Sequence, residues 1–156
     1  MPSQSAGLLC YRTAAEGLQV LLVHPGGPFW AGKDHGAWSI PKGELSPGED
    51  PLEVARREFQ EETGFADEAS GLLALGSIRQ PGGKVVHIWA FRGDFDPAGF
   101  RSNRFVMEWP PRSGRQQEFP EVDRAEWFLA AEARARILKG QLPFLDRLEE
   151  AIGHRG

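Results

Sequence analysis

The sequence is poor in cysteine, in long apolar runs and in positive charge. Cys10 is its one cysteine, so an intramolecular disulfide is impossible. Its place in the apolar run GLLCY predicts a small buried hydrophobic residue. No apolar run approaches the roughly 20 residues of a membrane-spanning helix, and the N-terminus lacks a basic segment followed by a long apolar core. We therefore expect no membrane partner and a cytoplasmic location.

The net charge and the length limit the class of protein further. A formal net charge of −4 gives no general attraction for a long polyanion, so we expect no duplex nucleic acid as partner. A small phosphorylated ligand needs only a local cationic site. The 156 residues, 26% of them charged and 40% hydrophobic, are typical of one globular domain. We expect a single domain over residues 1–156, as a monomer or homodimer.

Short apolar segments separated by turn residues predict a mixture of strands and helices. A long irregular connection is expected from Gly93 to Glu121, because PP and SGR interrupt it. The predicted elements are a hairpin of AGLLCYR and LQVLLVH, a second hairpin of GLLALGSIR and KVVHIWAFR, a short strand around Trp127, and the C-terminal helices AAEARARILKG and PFLDRLEEAIG.

A helix with defined ends lies in the middle of the chain. Asp50 is suited to cap its N-terminus, Pro51 to occupy the first helical position, and Glu53 to complete a capping box. Gly64 is suited to end it, because glycine adopts the left-handed conformation without steric cost. The sequence therefore predicts a helix that begins at Pro51 and ends at Gly64.

Three carboxylates lie together on this predicted helix. Glu58, Glu61 and Glu62 are spaced i, i+3, i+4, and like charges at that spacing are mutually destabilising. One interpretation is a solvated acidic face neutralised by Arg56 and Arg57. The other is a site for a hard divalent cation such as Mg²⁺, which takes oxygen ligands and often shares them with substrate phosphates.

The segment GELSPGEDPLEVARREFQEETGF, from Gly43 to Phe65, favours the cation. It matches the pattern G-x5-E-x7-R-E-U-x-E-E-x-G-U, with U a bulky hydrophobic residue, at every position. This pattern resembles the signature of the Nudix hydrolase family. The resemblance implies an α/β fold, an α/β/α sandwich with a mixed β-sheet. It also implies metal-dependent hydrolysis of a pyrophosphate linkage in a nucleoside diphosphate joined to another moiety.

The resemblance also implies roles for single residues. The carbonyl of Gly43 and the carboxylates of Glu58, Glu61 and Glu62 would bind Mg²⁺, with Mn²⁺ as an alternative, and the three glutamates would be catalytic. Arg57 and Glu49 would orient the loop and the helix around these ligands.

Two residues outside the segment from Gly43 to Phe65 are further candidates. Lys42, directly before Gly43, could place a positive charge on a substrate phosphate. Several family members take the general base from a glutamate six positions before a tryptophan. Glu121 has that spacing from Trp127 in EVDRAEW, so we expect it to be a further metal ligand or the base, with an ordinary loop carboxylate as the competing interpretation.

Base recognition usually requires an aromatic surface for stacking. Trp30 and Trp109 lie in predicted loops and are the favoured candidates, although tryptophan is more often a core residue. Arg112 and Arg115, in PPRSGRQ, could bind substrate phosphates or belong to a solvated loop.

The substrate class is less well defined than the chemistry. WSIPKGELSPGED is similar to the WxxPKGxxxPGE of diadenosine polyphosphate hydrolases, which favours a dinucleoside polyphosphate. The downstream tyrosine often associated with those enzymes is absent, since Tyr11 is the one tyrosine. Pro81, 16 residues after Phe65, resembles a marker of ADP-ribose pyrophosphatases. ADP-ribose, ordinary or oxidised nucleoside triphosphates, and a catalytically silent nucleotide-sensing module stay open as alternatives.

Overall fold

The computed structural model describes residues 3–67 and 71–153. Its helices are α1 (Pro51–Thr63), α2 (Ala130–Arg136) and α3 (Leu142–Gly153). Its strands are β1 (Gln4–Ala14), β2 (Gly17–Pro25), β3 (Lys42–Glu44), β4 (Leu73–Arg79), β5 (Val85–Arg92), β6 (Arg104–Glu108), β7 (Gln116–Pro120) and β8 (Val122–Leu129).

The main sheet is mixed. Five of its strands lie in the order β4-β5-β1-β2-β8, and the sixth, β3, also pairs with β1. The β1–β5 pair is parallel and the other pairs are antiparallel. Both predicted hairpins are confirmed, as β1–β2 and β4–β5.

Helices cover both faces of this sheet. Successive residues of a strand point to opposite faces, and in β1 Leu8 and Cys10 belong to one buried cluster, whereas Leu9 and Tyr11 belong to the other. The first cluster contains the α1 residues Val54, Ala55 and Phe59. The second contains Ala133 of α2 and Phe144, Leu145 and Leu148 of α3. The predicted α/β/α sandwich with a mixed sheet is confirmed.

Helix α1 has the predicted ends. The Asp50 side chain accepts a hydrogen bond from the Glu53 amide at 3.1 Å, which satisfies one of the N–H groups left free at a helix start. Gly64 has a φ of 80° and its amide donates to the Gln60 carbonyl. The apolar face formed by Val54, Ala55 and Phe59 packs on the sheet, so the glutamates lie at its margin.

The predicted irregular connection from Gly93 to Glu121 is wrong in part. It contains the antiparallel hairpin of β6 and β7, and the segment PPRSGR that interrupts the pattern lies at the turn of this hairpin. The hairpin was not predicted because half of its strand residues are exposed and polar, and its apolar residues do not alternate with polar ones as in a half-buried strand.

The first C-terminal helix is shorter than predicted. It ends at Arg136, because Ile137 is extended and buried and forms a bridge with Trp38. The Leu138 amide donates to the Trp38 carbonyl at 2.8 Å. A single 3₁₀ turn over Lys139–Gln141 then leads into α3.

Cys10 and Trp38 lie in the interior of the sandwich. Cys10 is completely buried, as predicted. Trp38 is also completely buried, so it is a core residue. Among residues 3–67 and 71–153, no helix is both long enough and apolar enough to cross a bilayer.

Candidate active site

Gly43 lies in direct contact with Glu58. Strand β3 pairs with β1, and Gly43 is opposite Ala6 in the register. A Cβ atom on Gly43 would lie 2.2 Å from the carboxyl carbon of Glu58, which is well inside van der Waals contact. Only glycine therefore allows the backbone of β3 to approach the carboxylate of α1 so closely.

Glu62 is the most buried carboxylate of the cluster. Its Oε2 accepts a hydrogen bond from the Lys42 amide at 3.2 Å, which joins α1 to β3. Burial, reinforced by the negative charge of Glu58, raises the pKa of Glu62 to about 8. The neighbouring Lys42 opposes this shift and does not cancel it.

Glu58 experiences the same effects more weakly. Burial raises its pKa, the Glu61 carboxylate raises it further, and the Arg57 guanidinium acts in the opposite direction. Glu121 also contributes repulsion at both Glu58 and Glu62. The fold therefore collects these carboxylates where their charges are only partly compensated, which is the electrostatic environment that a cation would stabilise.

Arg57 and Glu49 form the predicted pair. The Arg57 Nη1 donates to Glu49 Oε2 at 2.8 Å, and the Ser46 amide donates to Glu49 Oε1 at 2.6 Å. The Arg57 hydrogen bond and the Ser46 amide hold the pKa of Glu49 below its ordinary value. Arg57 Nη2 also lies 3.8 Å from Glu58 Oε1. The pair thus links the loop before α1 to the carboxylate cluster.

The backbone of Glu121 is held in place on both sides. Its amide donates to the Asn103 carbonyl at 2.8 Å, and its carbonyl accepts from the Gly26 amide at 2.9 Å. The Asn103 amide in turn donates to the Glu61 carbonyl at 2.9 Å. Glu121 therefore lies beside the C-terminal half of α1, with an exposed side chain.

Residues that the sequence analysis missed complete the surroundings of Glu61. Arg101 and Asn103 contact the end of α1, since their amides donate to the carbonyls of Thr63 and Glu61, and Ser102 lies between them. No local pattern indicates them, because their position depends on the unpredicted β6–β7 hairpin. A surface cavity of about 400 Å³ is lined by Arg57, Gln60, Glu61, Gly64, Arg101, Ser102 and Asn103.

The donor groups fit a hard divalent cation. They are carboxylate and backbone oxygens, which Mg²⁺ and Mn²⁺ prefer. The contact between Gly43 and Glu58 brings both kinds of oxygen donor into one place. In the part of the chain that the structure describes, no three His, Cys, Asp or Glu side chains are arranged to hold a metal ion as they stand. The fit therefore rests on donor chemistry, proximity and uncompensated charge.

Lys42 has a second lysine beside it. Burial lowers the pKa of Lys42, and the positive charge of Lys84 lowers it further. Lys84, at the start of the β5 region, lies 3.8 Å from Glu44 and contributes a cation that the sequence analysis did not identify. The hydrogen bond from its backbone amide to Glu62 places Lys42 beside the carboxylates, with Lys84 as a second cation near it.

The other predicted substrate-binding residues lie further along the surface. Trp109, Arg112 and Arg115 belong to the turn end of the β6–β7 hairpin, where the Trp109 amide donates to the Arg115 carbonyl at 2.9 Å. Trp109 contacts Phe29 edge to face. Trp30 lies in the loop after β2, with the Lys33 ammonium 5.6 Å from its ring centre. These contacts lie within or between the turn of the hairpin and the loop after β2, and none of them involves Glu58, Glu61 or Glu62.

Comparison with known proteins identifies the family. The NUDIX domain family matches residues 1–148, and this range contains the glycine, the arginine and every glutamate described above. The chain belongs to the Nudix family and is a Nudix hydrolase.

Two curated relatives are similar in sequence. The RNA pyrophosphohydrolase of Rhizobium meliloti (strain 1021) is 33% identical, over 74% of this chain and 70% of that protein. The asymmetrical bis(5'-nucleosyl)-tetraphosphatase of Rattus norvegicus is 54% identical, over only 28% of each protein.

Solved structures share the fold at lower identity. A binary complex of the C. elegans Ap4A hydrolase has a TM-score of 0.65 at 21% identity, over 97% of this chain and 98% of that one. The NUDIX domain of Shewanella oneidensis NrtR, crystallised with ADP ribose, also has a TM-score of 0.65, at 16% identity over 97% and 89%. These similarities support the fold alone.

Proposed function

We propose that the protein hydrolyses a phosphoanhydride bond of a dinucleoside polyphosphate in a reaction that requires Mg²⁺ or Mn²⁺. The observation that carries the proposal is the partly compensated carboxylate cluster, in which Gly43 contacts Glu58 and burial raises the pKa of Glu62 to about 8. A group of this kind is stabilised by cations that are themselves shared with phosphate oxygens. The similarity to a bis(5'-nucleosyl)-tetraphosphatase supports the substrate.

The metal ligands would be Glu58, Glu61, Glu62 and the Gly43 carbonyl. A bound divalent ion would neutralise charge that develops on the phosphate oxygens during attack by water. Lys42 binds a phosphate oxygen of the substrate and adds to that neutralisation. The hydrogen bond from its backbone amide to Glu62 Oε2 fixes the start of its side chain relative to the ligands.

Glu121 accepts the proton of the attacking water in this proposal. Its backbone is fixed by hydrogen bonds to Asn103 and Gly26, its carboxylate lies within electrostatic range of Glu58 and Glu62, and its exposure allows proton exchange with solvent. Arg57 and Glu49 position the loop and helix without contacting the substrate.

Product analysis with Mg²⁺ tests the function. Wild-type protein, Glu62→Gln and the control Glu53→Gln are incubated with diadenosine tetraphosphate, ADP-ribose, NADH, and ordinary and oxidised nucleoside triphosphates. We expect cleavage of diadenosine tetraphosphate by the wild type and by Glu53→Gln, whose exposed side chain lies in the first turn of α1. Cleavage that survives in Glu62→Gln would contradict the assignment of the site. Binding without product in the wild type would favour a nucleotide-sensing module.

Replacement of Glu121 separates the two roles open to it. Loss of a general base lowers kcat by about 10²- to 10⁴-fold, so Glu121→Gln should show that loss at every Mg²⁺ concentration. The exposed Glu118→Gln is the matched control. A Glu121→Gln rate that recovers at higher Mg²⁺ would identify Glu121 as a metal ligand instead, and an unchanged rate would exclude both roles.

A second candidate substrate is the 5'-phosphorylated end of an RNA. It is favoured by the 33% identity to an RNA pyrophosphohydrolase over most of both chains. A 5'-triphosphorylated oligonucleotide added to the same panel would distinguish it, because preferential release of pyrophosphate from that substrate would replace the dinucleotide proposal.

A further inference from the structure

The β6–β7 hairpin begins at the carboxylate cluster and extends away from it. Its two strands form a separate sheet, and Glu121 follows β7 directly. Each strand has five residues, so the turn end lies about 17 Å from the base at the rise of an antiparallel strand. Gly26 allows the base to pack closely, because a Cβ there would lie 2.0 Å from the Pro120 carbonyl oxygen.

The loop after β2 follows one face of this hairpin from base to turn. Near the base, a Cβ on Gly27 would lie 3.1 Å from the ring of Phe105. At the turn end, the rings of Phe29 and Trp109 are 5.5 Å apart at an angle of 79°. The hydrogen bond from the Trp109 amide to Arg115 continues the pairing of the hairpin by one residue beyond β6. Phe105 and Trp109 are four residues apart, so their side chains lie on the same face of the hairpin.

The Phe29–Trp109 contact leaves aromatic surface open to solvent. Phe29 is 61% exposed, although burying a phenylalanine would be favourable by roughly 1.5–3 kcal/mol. Beside this pair, Arg112 and Arg115 are exposed on the turn, and no carboxylate among the described residues lies within the ion-pair distance of either guanidinium. Phe29, Trp109, Arg112 and Arg115 together are called the tip platform.

We propose that the tip platform binds the nucleobase at the far end of a dinucleoside polyphosphate whose phosphate chain lies at the carboxylate cluster. This inference rests on the proposed function. Aromatic side chains stack on any base, and arginine adds a cationic contact to the π-system. The Glu108 carboxylate also lies at this turn, where it accepts from the Arg112 amide at 3.2 Å and the Gly114 amide at 3.0 Å, so the two guanidinium groups leave the turn with one excess positive charge.

The distance selects this occupant over a mononucleotide. A base attached through a single ribose to the phosphates at Glu58 and Glu62 stays near the base of the hairpin. The intervening phosphates carry the second nucleoside of a dinucleoside polyphosphate further from the cluster, as a site at the turn end, about 17 Å from the base of the hairpin, requires. The tip platform therefore distinguishes substrates by what lies beyond the phosphate chain.

Equilibrium binding tests the inference without turnover. Dissociation constants for diadenosine tetraphosphate and for adenosine 5'-tetraphosphate, which lacks the second nucleoside, are measured by calorimetry in a Glu62→Gln background. Trp109→Ala is added to that background, and Val106→Ala is the control. Val106 is an exposed apolar residue of β6, 60% accessible, and alternation places it on the face opposite Trp109.

The expected result is selective for the second nucleoside. Trp109→Ala should weaken binding of diadenosine tetraphosphate by about 5- to 150-fold, the effect of one stacked base. It should change binding of adenosine 5'-tetraphosphate by no more than about twofold. Val106→Ala should leave both constants within that range, and Phe29→Ala should weaken binding of diadenosine tetraphosphate in the same selective way.

Other outcomes overturn the inference. An equal loss for both ligands would place the platform at the first nucleoside or make it a structural contact. No loss for either would remove its binding role. A loss confined to a 5'-triphosphorylated oligonucleotide would assign the platform to RNA. Failure of the wild type to cleave diadenosine tetraphosphate in Mg²⁺ would refute the proposed function separately, whatever the selectivity of binding.

Discussion

The contact between Gly43 and Glu58 shows how little space separates the two elements that carry the candidate site. Any side chain at position 43 would overlap the carboxyl group of Glu58, since even a Cβ would lie 2.2 Å from its carbon. The resemblance to the Nudix family implies that the Gly43 carbonyl is a metal ligand. The tertiary structure adds a steric reason for glycine, which no local pattern contains.

Gly43→Ala should therefore impair catalysis more than folding. The added methyl group displaces the Glu58 carboxylate or shifts β3, and a misplacement of about 1 Å can lower the rate by about 100-fold. We expect kcat to fall by at least that factor, measured with the preferred substrate in Mg²⁺, while the thermal midpoint falls by only a few degrees. Glu44→Ala, a change at the exposed neighbouring residue, should keep its activity. Full activity in Gly43→Ala would contradict the close packing.

At the scale of elements, a buried glutamine connects the C-terminal segment to the residues just before β3, the strand that carries Lys42 and Gly43. Gln141 is only 1% exposed. Its Oε1 accepts from the Ile40 amide at 2.9 Å, and its Nε2 donates to the Ser39 hydroxyl at 3.0 Å. The 3₁₀ turn that contains Gln141 exists because α2 ends early at Arg136.

Gln141→Leu should destabilise the protein through this connection. The Ile40 amide would lose its partner while buried, which costs about 1–3 kcal/mol, and the free energy of unfolding measured with urea should fall by that amount. The slope of the transition should stay unchanged, because the folded state exposes no more surface. Gln116→Leu, at an exposed position of β7, should stay within about 0.5 kcal/mol of the wild type. Equal stability of the two variants would show that the buried bonds contribute nothing.

The elements differ in how far the sequence predicts them. Helix α1 was predicted from end to end because Asp50 and Gly64 act locally through capping and a left-handed turn. The β6–β7 hairpin was not, because its strands are held by each other and by the loop after β2 rather than by a pattern of buried residues. The end of α2 was also missed, because Ile137 leaves the helix to pair with the distant Trp38.

At the scale of the whole molecule, the single thiol reports on opening of the core. Cys10 lies in β1 at the centre of the main sheet, within the cluster that α1 covers. Burial raises the pKa of this thiol well above its ordinary range, and only the thiolate reacts with disulfide reagents. Its reaction therefore requires the sandwich to open.

Thiol labelling in native buffer at pH 8 should accordingly be slow. We expect no reaction on the time over which the guanidinium-unfolded protein reacts completely with one equivalent, and a native rate that rises as denaturant is added. Cys10→Ser gives the zero level of the assay. Rapid labelling of the native protein by one equivalent would show that β1 is accessible and would contradict the burial of both faces of the sheet.

The sequence by itself determined the helix that carries Glu58, Glu61 and Glu62, because its capping residues act locally. The motif over Gly43–Phe65 determined the family, and the resemblance implied the fold class and the pairing of Arg57 with Glu49. Only the tertiary structure decided the rest. It brings Lys42 and Gly43 of β3 onto α1, holds Glu121 between Asn103 and Gly26, and extends the β6–β7 hairpin so that Trp109 meets Phe29. These contacts join residues far apart in the chain through backbone hydrogen bonds, close packing and a ring contact, so the geometry of each depends on two distant segments at once.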